Sequence, residues 1–62
     1  MADAERRDIY FEFVAIGNTV KVTAIDSVTG TEVSTVGPVT ASRADLQQLA
    51  MRKLQMRLRR GE

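Results

Sequence analysis

The side chains with chemical capacity in this 62-residue chain are few, and their spacing does not converge. There is no His, Cys or Trp; lacking the first two, the chain has no ordinary general base, no thiol nucleophile and few options for holding a transition metal. Glu12, Asp26 and Glu32 are the carboxylates of the central region. Asp26 stands where a turn is expected, and Glu12 reads as a polar-face neighbour of Lys21. Ser27, Ser34 and Ser42 have no histidine to activate them. Lys21 is the conceivable amine nucleophile, but no neighbouring group is evident that would depress its pKa. Gly17, Gly30 and Gly37 are not spaced as a phosphate-binding loop. The sequence therefore reads as non-enzymatic, with no cofactor, metal or small-molecule ligand.

One charged cluster remains. Arg52, Lys53, Arg57, Arg59 and Arg60 gather near the C-terminus, with Gln48 and Gln55 among them. Such residues can neutralise phosphates and hydrogen-bond to bases, so nucleic-acid binding is one expectation. Cations near a helix C-terminus also complement the macrodipole and solubilise an apolar element. These side chains spread around a helix rather than forming a stripe, and no aromatic platform accompanies them. A solvated face is the favoured reading.

The elements that must carry these residues are clear. Ile9–Ile16, Thr19–Asp26 and Thr31–Val36 are strand-like runs separated by Gly17-Asn18 and Ser27-Val28-Thr29-Gly30. Gly-Asn between two alternating runs signals a two-residue type II′ hairpin. It would pair Phe13 with Val22 and Ala15 with Val20, collecting Phe11, Phe13, Ala15, Val20, Val22 and Ala24 on one face. For the second turn, a four-residue loop held by the Asp26 carboxylate sets Val33 across from Ala24. A three-residue loop with a Gly bulge would set it beside Ile25. The first enlarges the core and is preferred. The third strand is expected to stop at Gly37-Pro38, with edge character. Gly37 to Ala41 then reads as a linker.

Ser42, with Asp45 three residues on, marks a helix N-terminus. From Arg43 to about Arg60 the sequence has no Gly, Pro or β-branched residue, and Gly61 is expected to end the helix. Leu46, Ala50, Leu54 and Leu58 form an apolar stripe, flanked by Ala44 and Met51. Leu49 and Met56 lie beyond its other edge. The fold class is thus α+β: a three-stranded antiparallel β-meander followed by one C-terminal α-helix covering the Phe11/Phe13/Val22 face.

Length allows one domain at most, with a core of marginal size. Residues 1–8 read as a disordered lead-in and 9–60 as the domain. A 44% hydrophobic and 27% charged content is globular rather than disordered. The net charge of +1 hides an asymmetry: three basic against six acidic side chains in residues 1–42, six against two in 43–62. No apolar run is long enough to span a membrane or form a signal-peptide core, and a cytoplasmic location is expected.

Apolar surface is left over. Tyr10, Val14, Ile16 and Ile25 belong to the opposite sheet face, Leu49 and Met56 to the helix, and the first strand is a long hydrophobic edge. A second copy would cover such surplus in so small a chain, so a homodimer is expected, with these six residues as contacts. The helix would lie on its own sheet or be exchanged into an intertwined dimer. The nucleic-acid alternative rests on Arg52, Lys53, Arg57, Arg59 and Arg60.

The run Tyr10-Phe11-Glu12-Phe13, Gly17-Asn18, Val20-Lys21-Val22, Ala24-Ile25-Asp26, Thr29-Gly30-Thr31-Glu32-Val33 and Gly37, with Leu46, Ala50 and Lys53-Leu54, resembles a small family of uncharacterised alphaproteobacterial proteins. The resemblance covers about residues 9–58. It implies a short stand-alone domain of unknown function and brings no catalytic residues with it.

Overall fold

The computed structural model describes residues 7–60. Strands β1 (Ile9–Ile16), β2 (Thr19–Asp26) and β3 (Glu32–Pro38) form an antiparallel sheet in the order β1-β2-β3, and helix α1 (Arg43–Arg59) follows. The hairpin register is the expected one, with Phe13 opposite Val22 and Ala15 opposite Val20. Gly17 has φ of 60° and Asn18 a negative φ, the combination a type II′ turn requires.

The second turn is the four-residue loop, and Ala24 pairs with Val33. Asp26 Oδ2 accepts from the Thr29 N–H and from the Thr29 hydroxyl, both at 2.9 Å. The Gly30 N–H donates to the Asp26 carbonyl at 2.8 Å, and Gly30 takes φ of 77°. Arg7 and Asp8 do not lie loose as the lead-in reading had them. The Ser27 N–H donates to the Asp8 carbonyl and the Asp8 N–H to Ser27 Oγ, each at 3.0 Å, extending the hairpin by one pair. Residues 1–6, and Gly61 as helix terminator, lie outside the described residues.

Asp26 is fully buried, and its Oδ1 stands 2.8 Å from Arg7 Nε. That oxygen has no aligned hydrogen-bond partner among the described residues, so the contact is a charge pairing. Burial pushes the Asp26 carboxyl up; the Thr29 hydrogen bonds, the Arg7 charge and the Val28 N–H together outweigh it and hold the group below its usual value. A carboxyl with a depressed folded-state pKa contributes stability above its unfolded pKa, about 4, and loses it as pH falls through the folded value. Urea midpoints should therefore drop on acidification below about pH 4. Asp26→Asn should be less stable at pH 7 and show a flatter acid limb.

β3 runs two residues further than expected, through Gly37 and Pro38, which pair with Val20 and Thr19. The Val39 N–H donates to the Asn18 carbonyl at 2.9 Å, making Thr19–Pro38 a non-hydrogen-bonded pair. The Pro38 nitrogen then faces away from β2, where a missing donor costs nothing. The Ala41 N–H closes a turn onto the Pro38 carbonyl at 2.9 Å, and Ser42 Oγ caps α1 by accepting from the Asp45 N–H at 3.3 Å.

α1 packs on β2 and β3 of its own sheet. Val20, Val22, Ala24 and Val33 meet Leu46, Ala50 and Leu54, all buried. Small residues set the approach: a Cβ on Gly37 would lie 2.6 Å from Leu46 Cδ2. Because Leu46 is itself buried, its methyls have little room to swing aside. Gly37→Ala should cost about 1–3 kcal/mol by overpacking, read as a lower urea midpoint at unchanged slope.

The expected cover of the whole Phe11/Phe13/Val22 face is not what forms: α1 lies over β2 and β3 and leaves β1 at its flank. Phe11 and Phe13 on β1 are only half-buried at its flank. Leu58 is likewise half-buried at the end of the stripe, and Ala44 is exposed.

Candidate interaction surface

The two edges of the sheet are treated differently. Since Thr19–Pro38 is a non-hydrogen-bonded pair, Glu32, Ser34 and Val36 also turn their backbone groups outward along β3. This edge is guarded. Lys53 Nζ donates to the Ser34 carbonyl at 2.6 Å, and Pro38 offers no donor at all. Lys53, a candidate for nucleic-acid contact, is thus engaged by the sheet.

β1 has no such guard among the described residues. The Asp8–Ser27 bond makes even-numbered β1 residues the ones that face β2. Ile9, Phe11, Phe13 and Ala15 therefore point their N–H and C=O groups to the open edge. Their side chains lie on the helix-covered face, where α1 leaves room. Arg43 sits over the Phe13 ring at 4.9 Å from its centroid, a cation–π contact. Phe11 floors a groove of about 300 Å³ with Ala44, Gln47, Gln48 and Met51 along its wall. Open backbone and half-covered aromatic rings thus coincide on one strand.

The residues expected as dimer contacts fall on two opposite sides of the molecule. Tyr10, Val14 and Ile16 are exposed on the outer sheet face, as is Val36, which Lys21 separates from Val14, and Leu49 and Met56 are exposed on the helix. Ile25 is half-buried, covered in part by its neighbours Tyr10 and Glu32 across the ladder. The outer face is not one apolar patch. Tyr10–Ile25 lies at one end and Val14, Ile16 and Val36 at the other, with the row Glu12–Thr23–Ser34 between them. Thr23 Oγ1 and Ser34 Oγ are bonded at 3.1 Å in the middle of that row. Stacking this face on another would strip water from Glu12 and its neighbours.

The basic side chains gather only in part. Arg57 and Arg60 line a hollow with Val33, Lys53 and Met56, Arg59 and Arg60 flank Met56 in a second, and Arg59 also lines a third with Arg7, Gln55 and Leu58. Arg52 is exposed. The edge character of β3 at Pro38 is the expected one; the Lys53 contact was not foreseen, although Lys53 adjoins the buried Leu54, a position from which a long cation can reach the sheet. Among the described residues no group of acidic side chains could hold a metal ion, and no helix is long and apolar enough to cross a membrane.

No curated protein and no solved structure matches the sequence. A family model described as a domain of unknown function (DUF6898) matches residues 6–61, nearly the full length, and the chain belongs to that family.

Proposed function

We propose that this domain is a non-enzymatic homodimeric assembly module whose first partner is a second copy of itself. One observation carries the reading: α1 covers two strands and leaves the third with half-buried Phe11 and Phe13 beside an open edge. A core this small gains disproportionately from added apolar burial. A bacterial, cytoplasmic setting belongs to the same proposal. Sedimentation velocity over a concentration series tests it, with the mass of two chains expected at micromolar concentration. A single-chain species at high micromolar concentration would overturn it.

The alternative, nucleic-acid binding through the basic helix end, has less behind it. Lys53 is engaged by Ser34, and the other basic side chains of the helix end spread from the β3 side, where Arg57 and Arg60 line a hollow, round to the Arg7 side, where Arg59 does. Binding to random-sequence RNA or DNA that weakens steeply with added salt would favour it over self-association alone. No binding at low salt would remove it.

A further inference from the structure

We infer that two copies join through β1, antiparallel to β1 of the second copy and centred on Phe13, so that the two sheets become one. This rests on the self-association proposed above and specifies its surface. Three observations select β1. It carries outward N–H and C=O groups on Ile9, Phe11, Phe13 and Ala15. The opposite edge is blocked by Pro38 and by Lys53 on the Ser34 carbonyl. The outer face has the polar row Glu12–Thr23–Ser34 across its middle, which opposes face-to-face stacking.

The register follows from charge and length. Only pairings that set odd-numbered β1 residues opposite one another let the outward groups meet. Centring on Glu12 would place two carboxylates directly opposite, which is unfavourable. Centring on Phe11 uses only the stretch from Ile9 to Phe13 within the strand and runs the rest into the chain before it. Centring on Phe13 pairs Phe11 with the second copy's Ala15, Glu12 with its Val14 and Tyr10 with its Ile16, engaging β1 from Tyr10 onward. Glu12 then meets an apolar side chain, and Lys21 of the second copy lies one strand further along the same row. The twofold axis stands normal to the sheet, so both helices occupy one face. The aromatic rings of both copies floor the space between them, walled by Ala44, Gln47, Gln48 and Met51 of each. Tyr10 and Ile16, apart within one chain, cover each other across the join.

The full chain lacks cysteine, so introduced thiols report on one pair alone. Glu12 and Val14 are exposed on the outer face, and substituting them leaves the core intact. In the inferred register Glu12 and Val14 of the second copy form a non-hydrogen-bonded pair with Cα atoms about 4.5 Å apart, within disulfide reach. Mixing Glu12→Cys with Val14→Cys protein under mild oxidation should give the cross-linked heterodimer. Glu12→Cys alone should lose the cross-link, because its own symmetry mate sits diagonally, beyond about 7 Å. Cross-linking of Glu12→Cys with itself, or none in a mixture that sediments as dimer, would overturn the register while leaving self-association standing. Sedimentation of the unsubstituted chain as single copies would remove both.

Discussion

Leu54→Ala is expected to lower stability by about 2–5 kcal/mol, the range for truncating a fully buried leucine whose surroundings cannot collapse. Leu54 is 0% exposed and the largest fully buried side chain. It lies in the stripe that joins α1 to Val22, Ala24 and Val33. A chain of this length has a total stability of about 3–9 kcal/mol at ordinary values per residue. The loss is thus comparable with the whole. Urea unfolding followed by circular dichroism should show a sharply lower midpoint, or no folded baseline. Leu49→Ala is the control: Leu49 is exposed on the same helix, and its truncation should stay within about 0.5 kcal/mol. Equal losses at both positions would mean that the helix does not sit on the sheet as described.

Ala15→Pro should separate association from folding. The Ala15 N–H points to the open edge, so proline there removes no bond of the β1–β2 ladder. In the paired sheet the same nitrogen donates to Phe11 of the second copy, and by symmetry the loss occurs twice. At about 1 kcal/mol for each bond, with the ring's bulk added, affinity should fall on the order of 100-fold. Sedimentation should then find single copies at concentrations where the unsubstituted chain is dimeric, with the circular dichroism spectrum retained. Should proline perturb the strand, Val14→Glu asks the same question by charge. It sets a carboxylate opposite Glu12 of the second copy, while Val14 is exposed within one chain. An undiminished dimer in both variants would place the contact elsewhere.

The hairpin was legible because Gly17-Asn18 admits one closing pair, and a slip of one residue would have moved Phe11 and Phe13 among Lys21 and Thr23. The loop at Ser27–Gly30 was legible through Asp26, whose carboxylate has a defined reach to the Thr29 N–H. Ser42 and Asp45 announced the helix start by cap chemistry. These signals are local. What the sequence did not disclose depends on long-range placement. That Pro38 could remain in β3 follows from the phase of the ladder, since a proline nitrogen on the outward side is harmless. That α1 would lie over β2 and β3 rather than across all three strands follows from the absence of a side chain at Gly37, where Leu46 enters, and from buried Ala24 and Ala50. The return of Arg7 to Asp26 gave no periodic signal in a short, largely charged stretch. The candidate surface was half legible: β1 stood out as a hydrophobic edge, but the guard that Lys53 places on β3 required the fold.

Backbone amide exchange along β1 tests the central claim most directly. Tyr10, Glu12 and Val14 donate within the hairpin and should exchange slowly at every protein concentration, serving as internal references. Phe11, Phe13 and Ala15 point outward; they should exchange fast in dilute protein and become protected as concentration rises and copies pair. If those three amides exchange at the rate of exposed backbone at millimolar concentration, with their neighbours protected, β1 is not where a second copy binds.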